Sequence, residues 1–378
     1  MRRIASHKLL LADGSLVDNP VVAVADDGRI EAVGQASDID SLAGVEFYGG
    51  LLMPGFVNAH CHLELSHLRG AVPRRCGFAG FAQAMGSLRR RFTDGERRAA
   101  ASAAAAKMWH EGVAAVGDIS NGDISFAAKS DSPLRFRNWA EVFGLAARSD
   151  EPVRRLVEQR GATVTPHSTY SVQDGLFRSI CSRPDDAPLS IHFLESRGEA
   201  ELYEGRGELA AWYERQGWSC DFTHWGSPAR RIVGSVPRDR SVMLVHNCFL
   251  TQEDIDTIMS HFTAPVWWCV CPRSNDYIAG AEPPVGLLRR NGLNICVGTD
   301  SLASNDSLSM VAEVRALEGK MPLAEALAAA TRGGAEALGF GAELGRIEAG
   351  CRPGLTVLTG VDFATMTLRP DASARRIV

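Results

Sequence analysis

The sequence predicts an α/β protein, a (β/α)8 TIM-type barrel with a small β-sandwich-like subdomain formed by the two chain ends. From about residue 51, seven or eight short apolar segments alternate with longer helix-like stretches, and polar residues follow many of these segments. This alternation is typical of parallel strands connected by helices. The segments that show it best read LLMPGFVNAH, VAAVGDIS, ATVTPH, PLSIHF, SVMLVHN, APVWWCVC and LNICVGTD.

The two ends of the chain have a different pattern. Residues 1–50 read as short strands separated by Asp-Gly and Gly-Gly turns, and the tail LGRIEAGCRPGLTVL returns to strand-like alternation. We therefore expect residues 1–50 and 346–378 to form the small β subdomain, beside a catalytic barrel of residues 51–345. Within the barrel, ERRAAASAAAAKMWHEG predicts a helix that ends at Gly112.

The composition is that of an ordinary soluble protein with a full core. The chain has 378 residues, of which 45% are hydrophobic and 22% charged, with a net charge of -5. No basic tract favours nucleic acid or an anionic membrane as partner. The nine cysteines are scattered, which favours a reducing compartment over a disulfide framework. With an N-terminal apolar stretch too short for a signal peptide, a cytoplasmic location is expected.

Two histidines stand at the end of the first predicted barrel strand. His60 and His62 are two residues apart, and side chains alternate with period two along a strand, so both imidazoles point the same way. At the end of a barrel strand that direction is the catalytic mouth. A bare HxH is equally well explained by two unrelated polar residues, so the prediction depends on the partners downstream.

Those partners follow three other apolar segments. His192 and His246 end the segments PLSIHF and SVMLVHN, Glu195 comes three residues after His192, and Asp300 ends LNICVGTD. An aspartate there is costly to bury without a cation or hydrogen-bond donors. The alternative for Asp300 is the N-cap of a following helix, and for each lone histidine a satisfied core residue.

Together these side chains predict a metal centre. Three imidazoles and a carboxylate suit zinc or ferrous iron and leave a position for water. The segment TVTPHST has no lysine that could bridge two metals, so one divalent metal per subunit is expected, with zinc favoured and iron as the alternative. The chain has no GxSxG elbow, P-loop, HExxH motif or glycine-rich dinucleotide turn, and no HxE…PCxxC signature.

As a set, the segments MPGFVNAHCHLE, TPHSTYS, IHFLES, HNCFLT and GTDSLASND resemble the cytosine/adenosine-deaminase-like branch of the amidohydrolase superfamily. DDGRIEAVG near the start and LGRIEAGCRPG near the end extend the resemblance over nearly the whole chain. One departure is Pro353-Gly354-Leu355, where the family usually has Ala-Asp-Leu. The resemblance implies a metal-dependent hydrolase of carbon–nitrogen bonds other than peptide bonds, in which a homodimer is common.

The resemblance also implies a role for each residue of the site. It implies that the metal ligands are His60, His62, His192 and Asp300. It implies that His246 contacts the hydrolytic water, that Glu195 is the proton shuttle, and that Asp300 also accepts a proton from the water.

The substrate implied by the resemblance is an adenine-like aromatic amine, as in 6-aminodeoxyfutalosine and S-adenosylhomocysteine deaminases. His167 would face the purine with Tyr170 nearby, and Glu64 would hold a ribose hydroxyl, although a helix cap explains Glu64 equally well. An arginine would clamp a substrate benzoate, and surface charge is the alternative for each candidate. The candidates are Arg148, Arg154 and Arg69.

Other functions stay open at this point. One is a deaminase of guanine, a pterin or a cytosine-like base. A second is a cyclic amidohydrolase or a chlorohydrolase, and a third is a non-catalytic metal-binding protein that kept the fold. In each enzymatic case the partner is a small heterocyclic molecule rather than nucleic acid or a membrane.

Overall fold

The computed structural model describes the whole chain except residues 39–40, 89–90, 146–150, 186 and 219, and it describes no side chain for residues 151–154. The described strands are β1 Arg2–Leu10, β2 Leu16–Asp18, β3 Pro20–Val24, β4 Ile30–Gln35, β5 Val45–Met53, β6 Phe56–Cys61, β7 Val113–Ser120, β8 Arg135–Val142, β9 Thr163–Pro166, β10 Leu189–Phe193, β11 Val242–His246, β12 Val266–Val270, β13 Asn294–Val297, β14 Thr356–Asp362 and β15 Thr367–Arg376.

Helices occupy most of the connections between these strands. The α-helices are α1 Gly77–Leu88, α2 Asp94–His110, α3 Phe126–Ser130, α4 Glu151–Arg160, α5 Asp174–Cys181, α6 Arg197–Leu202, α7 Gly207–Arg215, α8 Pro228–Val233, α9 Gln252–His261, α10 Pro272–Ala279, α11 Val285–Arg290, α12 Met310–Ala316, α13 Leu323–Ala328 and α14 Gly334–Ala337. Short 3-10 helices cover Ala36–Asp38, Leu63–Leu68 and Thr223–Trp225, and a π-helical turn covers Ala329–Gly333. No helix in the described part of the chain is both long and apolar enough to cross a membrane.

The helix predicted to end at Gly112 is confirmed as α2. Its first turn has a capping box, in which Thr93 and Glu96 each accept a hydrogen bond from the other's backbone N–H. Such a box satisfies N–H groups that have no partner within the helix. Gly112 follows the helix with a φ of +85°, a conformation that glycine adopts without a steric penalty.

Both ends of the chain contribute to one sheet. Its strands are ordered β15-β14-β5-β1-β3-β4, with β2 paired to the outer part of β1. Strand β5 pairs in parallel with β1 and antiparallel with β14, so it joins the N-terminal strands to the C-terminal pair. Apolar side chains from both ends, among them Ile4, Leu52 and Leu355, pack in one buried cluster.

The single strand predicted over LLMPGFVNAH is wrong, because the structure divides this segment. Leu51–Met53 belong to β5 of the terminal sheet, and β6 begins at Phe56. Pro54 has no N–H to continue a ladder. At Gly55 a Cβ would lie 2.8 Å from both the Ala114 Cβ and the Gly354 oxygen, so only glycine fits at this bend of the chain.

The central part of the chain contains two parallel four-stranded sheets, ordered β6-β7-β8-β9 and β10-β11-β12-β13. Isolated bridges join their outer strands, Cys61 with Asp300 and Ser168 with His192. This α/β arrangement, with helices between successive parallel strands, is consistent with a TIM-type barrel. Strand β8 was not among the segments singled out above, since arginines and Asn138 interrupt its apolar run.

The approach of β13 to β6 depends on Gly298. A Cβ at this position would lie 2.7 Å from the His60 Cβ, 2.8 Å from its carbonyl oxygen and 2.9 Å from its nitrogen. We expect Gly298→Ala to lower the free energy of unfolding by about 1–3 kcal/mol, as overpacking does in cores. Urea denaturation measures the change. The control is Gly86→Ala on the exposed face of α1, where no atom lies within 4 Å of the added Cβ. Wild-type stability of Gly298→Ala would contradict this account.

Candidate functional site

The predicted site residues lie at the carboxyl ends of the parallel strands. His60 lies in β6, His192 in β10, and His246 is the last residue of β11, while Asp300 follows β13. His62 comes directly after β6. Parallel strands present their carboxyl ends at one face of a barrel, so residues far apart in sequence meet there.

The structure brings the predicted metal ligands together. The Nε2 atoms of His62 and His192 are 3.4 Å apart. Oδ1 of Asp300 lies 3.6 Å from Nε2 of His62 and 3.9 Å from Nε2 of His60. His60, His62 and Asp300 therefore present ligand atoms within 4.8 Å of one another, and so do His60, His192 and His246.

The environment of His60 fits a bound cation. Its side chain is fully buried, and neither ring nitrogen has a hydrogen-bond partner. A buried polar nitrogen without a partner is costly, and a divalent cation would accept the lone pair of a neutral imidazole. Burial and the neighbouring imidazoles hold the pKa of His60 well below its usual range, so the ring is neutral. Three imidazoles and a carboxylate are a zinc-type donor set.

Asp300 is held in place by two hydroxyl groups. Its Oδ2 accepts hydrogen bonds from Ser274 at 2.6 Å and Ser304 at 2.7 Å, which leaves Oδ1 toward the histidines. Burial raises the pKa of this carboxyl, but the imidazoles of His62 and His246 and the two hydroxyls outweigh it and hold the pKa below its usual value. The N-cap alternative for Asp300 is excluded, because the next helix begins at Met310.

His246 is oriented by a residue that sequence reasoning missed. Its Nδ1 lies 2.8 Å from Oδ1 of Asn275, which follows β12 in the segment CPRSN. An amide oxygen only accepts, so Nδ1 carries the hydrogen and the lone pair is on Nε2. That Nε2 has no hydrogen-bond partner and lies 3.8 Å from Oε1 of Glu195. Asn275 lies near the start of α10 and not at a strand end, so no pattern in the sequence marked it.

Backbone strain is concentrated at the same strand ends. Leu194, His246, Asn247 and Asp300 all have positive φ, between 47° and 81°. Such conformations cost non-glycine residues about 1–3 kcal/mol each and persist where surrounding contacts hold them. Backbone bonds from Asn247 to Phe193 and from Asp300 to His60 supply these contacts.

Glu195 lies beside the histidines in a mostly buried position. Its side chain is 10% exposed, and burial raises its pKa. Oε2 accepts a hydrogen bond from the Tyr170 hydroxyl at 3.3 Å, and the Glu195 backbone N–H donates to Glu199 Oε2 at 3.2 Å. Glu199, fully buried and bonded to the Thr169 hydroxyl, is a second support that the sequence did not reveal.

The predicted substrate-binding residues have distinct surroundings. The ring of His167 stacks on His192 with centroids 4.5 Å apart, and its Nδ1 lies 2.8 Å from the Ser171 hydroxyl. Burial lowers the pKa of His167 to about 3, so the ring is neutral at pH 7. Tyr170 is 2% exposed, and its hydroxyl contacts Glu195.

Glu64 is anchored to the loop after β7. Its two carboxylate oxygens accept the backbone N–H groups of Asn121 at 3.1 Å and Gly122 at 3.2 Å. Burial raises the pKa of Glu64 to about 7. Glu64 lies inside the 3-10 helix Leu63–Leu68, so it does not cap a following helix.

Of the three candidate arginines, the structure describes the side chain of Arg69 alone. Arg148 lies outside the described residues, and so does the side chain of Arg154. Arg69 is exposed directly after the 3-10 helix Leu63–Leu68.

Known proteins resemble this chain over most of its length. The model of the amidohydrolase family matches residues 51–373. A 5-methylthioadenosine/S-adenosylhomocysteine deaminase from Halobacterium salinarum is 28% identical over 395 residues, 97% of this chain and 85% of that protein. The crystal structure of Helicobacter pylori aminofutalosine deaminase with methylthio-coformycin has a TM-score of 0.82 at 26% identity and covers 95% of this chain and 92% of that chain. An adenosine deaminase from Xanthomonas campestris with bound zinc has a TM-score of 0.75 at 25% identity, covering 94% and 84% of the two chains.

The region matched by the family model contains all of the strand ends that carry the site. The three similar proteins described above are named as deaminases, enzymes that release ammonia by hydrolysis. This chain therefore belongs to the amidohydrolase family and is a hydrolase of carbon–nitrogen bonds other than peptide bonds.

Proposed function

We propose that this enzyme is a divalent-metal-dependent deaminase of adenine nucleosides, with 6-aminodeoxyfutalosine as its substrate. The observation that carries the proposal is the position of Glu195, whose carboxylate lies 3.8 Å from His246 Nε2 beside the histidine–aspartate cluster. A protonated carboxyl next to a hydrolytic centre suits protonation of a ring nitrogen. The likeness to an aminofutalosine deaminase supports this substrate within the adenosine type.

His60, His62, His192 and Asp300 would hold one divalent metal, for which zinc is the favoured ion. When bound there, the metal would act as a Lewis acid and lower the pKa of a bound water to about 7. The bare Nε2 of His246 and Oδ1 of Asp300 face this centre and orient the hydrolytic water, and Asp300 accepts a proton from it.

Glu195 moves protons on the substrate side. It first protonates the ring nitrogen next to the carbon that bears the amino group, which makes that carbon electrophilic. Addition of water to the carbon releases one proton, which Asp300 accepts and which then reprotonates Glu195. Glu195 passes this proton to the amino group, ammonia leaves, and the remaining proton of the added hydroxyl, released as the ring carbonyl forms, restores the protonated Glu195. The Tyr170 hydroxyl and the Glu199 contact to the Glu195 backbone hold the carboxyl in place.

The remaining residues would bind the nucleoside. Neutral His167, stacked on His192, would face the purine. Each carboxylate oxygen of Glu64 can accept a second hydrogen bond, so Glu64 would hold a ribose hydroxyl while keeping its backbone partners. A benzoate on the substrate requires a guanidinium partner, for which Arg69, Arg148 and Arg154 are the candidates.

The finer features of the architecture are also proposals. We propose that β6 to β13 close into a (β/α)8 barrel of residues 51–345, and that residues 1–50 and 346–378 form a separate β-sandwich-like subdomain. We also predict that the protein is a cytoplasmic homodimer. Its expected partner is a small heterocyclic molecule rather than nucleic acid or a membrane.

The test is ammonia release from zinc-loaded protein with four substrates side by side: 6-aminodeoxyfutalosine, adenosine, S-adenosylhomocysteine and 5-methylthioadenosine. Fast turnover of the first alone would support the proposal in full. Faster turnover of another would keep the chemistry and replace the substrate. No turnover of any of the four, with one equivalent of metal bound, would reject an adenosine-type substrate and leave guanine, pterins, cyclic amides and chlorinated rings as alternatives.

A further inference from the structure

Glu141 is a buried carboxylate that the mechanism above does not use. It lies in β8, next to the last residue of the strand, and is 4% exposed. Its Oε2 accepts a hydrogen bond from Nδ2 of Asn121 at 2.9 Å, whereas its Oε1 has no hydrogen-bond partner. Removing a charged oxygen from water without a partner is costly, so Oε1 requires a positive group nearby.

The bare oxygen distinguishes Glu141 from the other buried glutamates in the described part of the chain. Both oxygens of Glu64 accept backbone N–H groups. Glu199 accepts from the Thr169 hydroxyl and the Glu195 backbone. Glu313 accepts from the Asn305 amide and the Arg273 backbone. Each of these three carboxylates has a complete structural role, which Glu141 lacks.

Oε1 of Glu141 faces two of the proposed metal ligands. It lies 3.6 Å from Nδ1 of His192, and Glu141, His62 and His192 present ligand atoms within 4.8 Å of one another. Nδ1 of His192 is also 2.8 Å from the carbonyl oxygen of His167, to which it donates its hydrogen. Nε2 of His192 is therefore the nitrogen left for a metal, beside Nε2 of His62.

The charges of the site point in the same direction. A divalent cation held by neutral imidazoles and Asp300 alone keeps one uncompensated positive charge. If the cation were bound at Nε2, the imidazole of His192 would become more positive at its Nδ1–H edge, and Oε1 of Glu141 lies 3.6 Å from that nitrogen. The ring of His192 is fixed by the hydrogen bond from its Nδ1 to the His167 carbonyl, so Glu141 would act through its charge at 3.6 Å. Loss of a residue that supports a ligating histidine costs about 10–100-fold in metal affinity.

We propose that Glu141 is a positioning carboxylate of the metal centre, which acts through His192 and strengthens metal binding without being a ligand itself. This inference rests on the metal dependence in the proposed function. Sequence reasoning missed Glu141 because RFRNWAEV did not stand out as a strand.

The test is the zinc affinity of Glu141→Gln, measured by competition between the metal-free protein and a chromophoric chelator. Glutamine keeps the volume and an oxygen for Asn121 but removes the charge. We expect zinc affinity to fall by about 10–100-fold. The matched control is Glu199→Gln, the same change at a buried carboxylate bonded to Thr169 and the Glu195 backbone, for which unchanged zinc affinity is expected.

Wild-type zinc affinity in folded Glu141→Gln would overturn the inference, and a raised KM with unchanged affinity would assign Glu141 to the substrate instead. If the glutamine variant does not fold, Glu141→Met provides an uncharged side chain of similar volume, with the same expected loss and the same overturning result. The zinc-affinity measurement needs no substrate; only the KM comparison does. If the wild-type protein binds zinc but deaminates no substrate, the proposed function is refuted and the role of Glu141 is not. If the wild-type protein is a deaminase but Glu141→Gln and Glu199→Gln both bind zinc with wild-type affinity, only the role of Glu141 is refuted.

Discussion

Replacing Glu195 with glutamine is expected to lower kcat by about 10²–10⁴-fold, the usual contribution of a general acid–base group. The amide cannot deliver a proton to the ring nitrogen or to the leaving amino group. It keeps the size of the side chain and its contact with the Tyr170 hydroxyl. Zinc content should not change, because Glu195 is not among the proposed ligands. Steady-state ammonia release and metal analysis of the same preparation measure both quantities.

The control for this prediction is Tyr170→Phe, which removes one hydrogen bond to Glu195 but leaves the carboxyl. The loss of a single hydrogen bond of this kind is worth about 0.5–1.5 kcal/mol, so a much smaller fall in kcat is expected. If Glu195→Gln binds zinc and turns over substrate like the wild type, the proton shuttle is wrong. If neither the wild type nor Glu195→Gln shows activity on any heterocycle, a non-catalytic metal-binding protein becomes the better explanation.

Asp300→Asn is expected to lower kcat by at least about 10²-fold and to weaken zinc binding as well. The change removes the only carboxylate from the proposed ligand set and the group that accepts the proton of the hydrolytic water. Loss of the charge should therefore affect binding and chemistry together, unlike Glu195→Gln. Kinetics at saturating zinc, together with a chelator titration, separate the two effects.

Ser304→Ala is the matched control for Asp300→Asn. It removes one of the two hydroxyls that hold Oδ2, while Ser274 keeps the other at 2.6 Å. Zinc affinity and kcat should change far less than in Asp300→Asn. Equal losses in the two variants would mean that the orientation of Asp300, rather than its charge, determines activity.

The residues of the histidine–aspartate cluster could be predicted from the sequence because each member belongs to a local pattern. His60 and His62 have the period of a strand, and His192, His246 and Asp300 each follow an apolar run. Parallel strands then bring these residues to one face, as the structure shows. The number of residues between the members of the cluster does not affect such a prediction, because the fold brings the strand ends close together.

The supporting residues could not be predicted in the same way. Asn275 orients His246 across 29 positions of the chain, and Ser274 reaches Asp300 across 26. Asn275 and Ser274 both lie near the start of α10, so their contacts depend on how that helix packs against the strand ends, and a single sequence does not contain that information. Glu141 was missed for a simpler reason, because polar residues conceal its strand.

The measurement that tests the central claim most directly is ammonia release from 6-aminodeoxyfutalosine by one preparation before chelation, after chelation and after return of zinc. The proposed metal-dependent deaminase should lose activity with its metal and regain it when one equivalent of zinc per chain is restored. Full activity in the metal-free protein, or recovery only with a second equivalent, would contradict a hydrolytic centre built on one metal at His60, His62, His192 and Asp300.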